Sequence, residues 1–239
     1  MKEELIAHKD PKSPISEIFR TLRTNIQFMN TNKNVKTLLI TSTFPAEGKS
    51  WVASNLATAF AQTGKKIILI DSDMRKGRQY NIFGLLPKPG LSNYLSQIED
   101  ENGKKASKNI EDYIQKTEVE NLSLMSAGTI PPNPSELLTS SRMTELLKEL
   151  QDRFDTIIID GTPCKLVTDS VILSSVADST IIVASHKRTK KDALNEVIKN
   201  IQNVGGNMAG IVLNRIPTSI KKYNETYYYY GEEKKEKTK

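Results

Sequence analysis

The chain has 239 residues, 37% of them apolar and 26% charged, which suits one α/β domain with its own core and no need of a disulfide or metal staple. A lone cysteine, Cys164, excludes a disulfide scaffold. No secretory signal opens the chain and no apolar run approaches the ~18–20 residues of a membrane span, so the expected setting is cytoplasmic. The net charge of +6 permits anionic partners, but Lys and Arg are spread along the whole sequence, and no nucleic-acid partner is expected.

The first expected element is a helix within residues 11–29, where Ile15, Ile18, Phe19, Leu22 and Ile26 recur at helical spacing and Ser16 serves as N-cap. Glu17, Arg20 and Arg23 follow one another at three-residue steps on one face of it, which taken alone is a solvated, salt-bridged stripe. A strand over 35–41 runs into Thr41-Ser42-Thr43-Phe44-Pro45-Ala46-Glu47-Gly48-Lys49-Ser50. A helix follows, with Val52, Leu56, Ala59 and Phe60 on one face and Gly64 as its stop. Strand, loop and helix in this order make a phosphate-binding site. Curled backbone N–H groups and a helix N-terminus face the anion, a Lys reaches the β and γ oxygens, and a hydroxyl serves Mg²⁺. Gly48, Lys49 and Ser50 supply those parts, although the strict pattern asks for Gly where this chain has Thr43.

The second strand, 66–70, ends in Asp71-Ser72-Asp73-Met74-Arg75. Residues 99–108 are polar, contain Gly103 and read as a surface insertion. Strands over 122–125 and 156–159 come next, the latter ending in Asp160-Gly161-Thr162-Pro163. Either acidic run alone is also what a turn or a helix N-cap looks like. Beside a phosphate loop, carboxylates at the C-terminal ends of strands are suited to holding Mg²⁺. A strand over 180–184, a helix carrying Leu194, Val197, Ile198 and Ile201 before Gly205-Gly206, and a strand over 208–213 ending at Asn214 and Arg215 complete the pattern. Runs such as Ile67-Ile68-Leu69-Ile70 do not alternate with polar residues, which marks strands buried on both faces. The expected fold is therefore α/β and P-loop NTPase-like: a mostly parallel central sheet with helices on both faces, a helical N-terminal extension and a flexible C-terminal tail.

That tail is compositionally odd. Five of the eight tyrosines crowd into it as Tyr223, Tyr227, Tyr228, Tyr229 and Tyr230, and residues 221–239 carry six Lys against four Glu, too little apolar surface to fold alone. His8 and His186 have no partner spacing, and Cys164 reads as a small residue near the site, not a nucleophile.

The joint order of residues 45–50, the 71–75 run, Asp160, Pro131-Pro132-Asn133-Pro134-Ser135-Glu136-Leu137-Leu138, Glu17-x-x-Arg20-x-x-Arg23 and the Tyr-rich tail resembles the bacterial protein-tyrosine kinases of capsule and exopolysaccharide assembly, over about the whole chain. The resemblance implies ATP and Mg²⁺ as cofactors, with Pro45, Ala46, Glu47, Gly48, Lys49, Ser50 and Trp51 around the phosphates. It implies that Ser50, Asp71 and Asp160 hold Mg²⁺, and that Lys49, Asp71 and Asp73 carry catalysis, the acids also orienting or deprotonating a tyrosine hydroxyl whose ordinary pKa is about 10. By similarity to related nucleotide-binding ATPases, Asn214, beside Arg215, either contacts the base or caps a turn. Glu17, Arg20 and Arg23 would hold a ring-shaped homo-oligomer in which the five tail tyrosines are phosphoacceptors. Other implied partners are a separate transmembrane activator of the polysaccharide co-polymerase type, which recruits the kinase to the inner face of the membrane, a protein-tyrosine phosphatase and further protein substrates. The implied organisation is an oligomerisation segment over 1–32, a kinase domain over 33–218 and a tail over 219–239.

The chain departs from the family pattern at three places. The family usually has Gly where Ala46 stands and Thr where Trp51 stands, and its Asp-Thr/Ser-Pro-Pro run is replaced by Asp160-Gly161-Thr162-Pro163-Cys164. If residue 46 needs positive φ, Ala costs on the order of 1 kcal/mol there, which reduces activity without abolishing nucleotide binding. Two rival readings stand beside the kinase. One is a partition or division-site ATPase, whose signature Lys would fall at Phe44; the other is a nucleotide-bound scaffold whose kinase activity has decayed.

Overall fold

The computed structural model describes residues 4–29, 35–96, 107 and 109–217. The five tail tyrosines and most of the expected insertion over 99–108 lie outside them.

The chain begins with a single helical turn, α1 (Ile6–Lys9), and then α2 (Pro14–Met29). Pro14 opens α2, where its missing N–H costs nothing, and Ser13 Oγ accepts the Ser16 N–H at 3.1 Å. Ser13 is thus the cap in place of Ser16. The Ser16 hydroxyl is buried and donates to the Asp10 carbonyl at 2.6 Å, which fixes the corner between the two helices.

The rest alternates strand and helix: β1 (Thr37–Ser42), α3 (Lys49–Ala61), β2 (Ile67–Asp71), α4 (Gln79–Phe83), α5 (Leu91–Ser96), β3 (Gln115–Lys116), β4 (Leu122–Met125), α6 (Pro134–Thr139), α7 (Ser141–Arg153), β5 (Thr156–Pro163), α8 (Asp169–Ser174), β6 (Ser179–Ser185), α9 (Lys191–Asn203) and β7 (Met208–Asn214). Among the described residues these strands form one sheet in the order β3-β4-β2-β5-β1-β6-β7, parallel throughout except for the β3–β4 pair. β3 has two residues, too short for any apolar period, and had no signal in the sequence.

The non-alternating runs split between two cores as expected of strands covered on both faces. Leu38, Ile40, Ile67, Leu69 and Ile158 pack towards α3, while Leu39, Ile68, Ile70, Ile157 and Ile159 pack towards α7 and α8. Each such side chain contributes roughly 1.5–3 kcal/mol when fully buried. α3 was expected to bury one face, but from Val52 to Ala61 it is buried all round, Ser54, Asn55 and Thr58 included, because α1 and α2 cover its outer side. Asn55 is satisfied across that contact, its Oδ1 accepting the Ala7 N–H at 3.0 Å and its Nδ2 donating to the Glu4 carbonyl at 2.8 Å, while the Ser54 and Thr58 hydroxyls donate to the Trp51 and Ser54 carbonyls of α3 itself.

β5 lies between β2 and β1 and runs past the expected 159 to Pro163, so Asp160 sits inside the strand, in register with Asp71 of β2. β1 pairs β5 on one side and β6 on the other. The loop after β1 therefore meets the acidic ends of β2 and β5 at one sheet edge, beside the point where the chain changes direction across the sheet.

Candidate functional site

The loop between β1 and α3 is built from its own residues and from distant anchors. Gly48 has φ +99° and Ala46 has φ +62°, so position 46 does require the left-handed region that its usual Gly would adopt freely. The Glu47 side chain is buried and accepts the Phe44 N–H at 2.8 Å and the Thr189 hydroxyl, closing the loop on itself and on the β6–α9 connection. Asn214 Nδ2 donates to the Glu47 carbonyl at 2.9 Å, and Asn214 Oδ1 accepts the Arg215 N–H at 2.8 Å. The end of β7 thus braces the phosphate loop directly. A Cβ on Gly48 would come within 2.1 Å of that same amide and displace it from the Glu47 carbonyl, a cost added to that of the positive φ.

Lys49 opens α3, and its side chain is only 12% exposed. Nζ lies 3.3 Å from Asp73 Oδ2, 3.4 Å from Asp160 Oδ1 and 3.2 Å from Ser50 Oγ. Burial works to lower the ammonium's pKa, but the carboxylates of Asp160, Asp73 and Asp71 outweigh it and hold the pKa above the usual lysine value. Asp71 is fully buried, and its Oδ2 accepts the Gln79 N–H at 2.9 Å. Burial first, and then the neighbouring Asp160 charge, push its carboxyl up to about 7.

The fit of a magnesium ion follows from this donor set. Ser50, Asp71, Asp73 and Asp160 offer hard oxygens, and the second cause of the raised Asp71, after burial, is the neighbouring Asp160 charge, a repulsion that a divalent cation relieves. Among the described residues no three His, Cys, Asp or Glu are close enough to hold a metal by themselves. Mg²⁺ usually takes one or two protein carboxylates and completes its shell with water and phosphate. Over these groups opens a cleft of about 320 Å³ whose walls include five cations, Lys49, Arg75, Lys76, Arg78 and Arg215, against one acid, Asp73. A polyanion such as a triphosphate matches that balance.

Two of the three departures from the family pattern are absorbed by packing. Trp51 meets Phe19 of α2 edge-on at 5.1 Å, so its ring ties the phosphate-loop helix to the N-terminal segment. At Gly161 a Cβ would fall 2.3 Å from Ser170 Oγ, and that hydroxyl holds the strand by accepting the Thr162 N–H at 2.6 Å and donating to the Thr162 carbonyl at 2.8 Å. Ala46 alone keeps its strain. Cys164 is half-buried beside Thr41 Oγ1 at 3.2 Å, and burial pushes its thiol up to about 11, away from thiolate chemistry.

The remaining expected site residues lie apart from this edge. Arg20 Nε pairs with Glu17 Oε2 at 2.6 Å along α2, while Arg23 Nη1 donates to the Ala59 carbonyl of α3 at 2.9 Å. The sequence also left residues unnoticed. Buried Asp169 accepts the Ser135 hydroxyl at 2.7 Å and pairs with Arg75 at 3.3 Å, which joins α6 to the acidic loop. Gln79 is fully buried between Asp71 and Asp160, and nothing in the Arg78-Gln79-Tyr80 run marks it beyond its place as the first residue of a helical turn.

A parallel sheet with a phosphate loop after β1 and paired carboxylates on β2 and β5 defines a P-loop ATPase domain, and the AAA domain family matches residues 21–211. The putative tyrosine-protein kinase CapB of Staphylococcus aureus is 39% identical over 96% of this chain and 96% of its own length. The tyrosine-protein kinase YwqD of Bacillus subtilis is 38% identical over 97% of this chain and 92% of its own. The crystal structure of the chimerical protein CapA2B2 superposes with a TM-score of 0.82 at 39% identity, covering 91% of this chain and 92% of that one. The chain belongs to the bacterial tyrosine-protein kinases.

Proposed function

We propose that the protein transfers the γ-phosphoryl group of ATP to tyrosines of the 223–230 cluster on a neighbouring copy, and that it acts in capsular or exopolysaccharide synthesis and export. The observation that carries this reading is the convergence of Lys49, Ser50, Asp71, Asp73 and Asp160 at one sheet edge under a cationic cleft. In it Lys49 would neutralise the β and γ phosphates, and Ser50, Asp71 and Asp160 are the residues that would hold Mg²⁺, whose chemistry there would be to offset charge on the phosphate oxygens. Asp73, at the mouth of the same cluster, orients the incoming tyrosine hydroxyl and draws off its proton. Arg75 and Arg78 also line the wall, each already paired with an acid outside it, Asp169 at 3.3 Å and Glu4 at 2.8 Å.

Supply of the acceptor in trans fits a heterologous ring held through Glu17, Arg20 and Arg23, with a separate membrane activator and an opposing phosphatase as partners. No helix among the described residues is long and apolar enough to cross a membrane, so recruitment to the membrane would come through the activator. Each phosphate adds about −1.5 to −2 charges, so two would reverse the sign of a tail with six Lys and four Glu and would loosen the assembly.

Incubation with ATP and Mg²⁺, followed by phosphopeptide mass spectrometry, tests the reading. Phosphate on Tyr223 or Tyr227–Tyr230, rising when a cytoplasmic activator segment is added, is the expected result. ATP turnover with no phosphotyrosine anywhere on the chain would return the protein to the ATPase-switch reading.

A further inference from the structure

Gln79 makes three hydrogen bonds at the centre of the site. Its N–H donates to Asp71 Oδ2 at 2.9 Å, and its side-chain Nε2 donates to Asp160 Oδ2 at 2.8 Å and to the Ser50 carbonyl at 3.0 Å. A carboxylate and a carbonyl can only accept, so the amide nitrogen must face them and the orientation is settled by chemistry. The other end of the amide, Oε1, is buried with no partner.

We propose that Gln79 is a positioning residue for phosphoryl transfer: by occupying Asp160 Oδ2 it fixes the carboxylate so that Oδ1 faces Lys49 and the phosphates, and by holding the Ser50 carbonyl it sets the first turn of α3 against that acid. One residue thereby locks both carboxylates of the β2–β5 register pair and the helix turn that carries the Ser50 hydroxyl. The assignment rests on the kinase reading of this edge and adds a residue to it.

The test compares binding of a non-hydrolysable ATP analogue to the full chain in EDTA and in Mg²⁺, for wild type, Gln79→Met and Gln79→Glu, with melting curves of each apo protein. Methionine keeps the volume and removes both donations. Its affinity in EDTA should stay within about twofold and its melting point should hold, while the Mg²⁺-dependent gain falls about 10-fold or more, as is usual when the partner of a metal-holding group is lost. Gln79→Glu places a third carboxylate against Asp160 and should lose more. In an Asp160→Ala background the effect of Gln79→Met should shrink to what its bond to the Ser50 carbonyl contributes, because the larger part of the amide's action runs through that carboxylate. A full Mg²⁺-dependent gain in Gln79→Met, a loss that adds in full to that of Asp160→Ala, or collapse of the fold in both variants would each overturn the proposal. Absence of any Mg²⁺-dependent gain in wild type would instead bring down the kinase reading, and this assignment with it.

Discussion

Charge is handled in opposite ways at the phosphate-loop edge and on the outer face of α2. At the edge, Lys49, Asp73 and Asp160 have side chains 12%, 10% and 0% exposed and are interlocked with residues from distant parts of the chain. On α2, Glu17 and Arg20 are 44% and 30% exposed and pair with each other three residues apart. Buried ion pairs seldom repay the loss of hydration, and exposed ones contribute about 0–1 kcal/mol. Neither cluster is therefore explained by stability. The buried one is what the proposed phosphate site requires, and the half-exposed one is what the proposed subunit contact would use. A polar set inside a core points to chemistry, whereas a polar stripe outside it can be lost without cost to the fold.

The sharpest break of this comparison is Lys49→Met. A loop lysine read from sequence would face solvent and be dispensable for folding, but here it is buried in ion-pair range of Asp73 and Asp160 and near Asp71. Tail phosphorylation should fall by at least ~10²-fold, in the range seen when one charge-stabilising group is removed from an active site. The apo protein should also melt lower than wild type at neutral pH, because leaving a buried charge unpaired is strongly destabilising. Undiminished phosphotyrosine by mass spectrometry would take the lysine out of the mechanism.

Asp71→Asn sharpens the same contrast through pH. Its folded pKa of about 7 stands above the ordinary 3.8, so between those values the folded state keeps a proton that the unfolded state has released. The stability this proton provides is fully present below pH 3.8 and is lost as pH rises through 7. In EDTA, the wild-type melting point should therefore fall relative to Asp71→Asn between pH 4 and 7, by roughly several degrees. Parallel melting curves across that range would show that Asp71 is ionised in the fold.

The strand runs, the phosphate loop and the acidic end of β2 were legible because each is local: a β-rich run, a Gly-Lys-Ser before a helix, an Asp closing an apolar stretch; Asp160 was picked out too, but it sits inside β5 and not at its end. Gln79, Thr189 and the Ser135–Asp169–Arg75 link were not, because each acts on a group 34 to 142 residues away and gains its role only when the sheet order brings them together. The Ser16 cap was misplaced by one helical turn, since Ser13-Pro14 is the stronger start and Ser16 is used to hold Asp10. The face shared by Glu17, Arg20 and Arg23 was legible, but the inward turn of Arg23 to Ala59 was not.

A smaller effect is expected at Ala46. With φ at +62°, replacement by Gly removes strain of about 1 kcal/mol and should raise the melting point by a few degrees. Greater freedom of the unfolded chain takes back part of that gain. If the strain also holds the loop away from its best fit to phosphate, nucleotide affinity rises in the same variant. A lower melting point would show that the loop tolerates alanine without strain.

The smallest effect on folding is expected on α2, and its smallness makes it useful. The Glu17–Arg20 pair is a half-exposed i,i+3 contact worth about 0.2–0.5 kcal/mol, and Arg20 Nη2 also donates to the Pro11 carbonyl at 2.7 Å, so Glu17→Ala with Arg20→Ala should melt within a few degrees of wild type. Arg23 differs, because its guanidinium holds the Ala59 carbonyl, and Arg23→Ala loosens α2 from α3 whatever it does to assembly. Replacing all three together would therefore confuse a lost interface with a lost helix contact. The Glu17/Arg20 double variant separates them: if this stripe joins subunits, light scattering with nucleotide and Mg²⁺ shows smaller particles at a melting point within those few degrees. An unchanged assembly in that variant would leave Arg23 as a clamp within one subunit and the exposed pair as a solvated face.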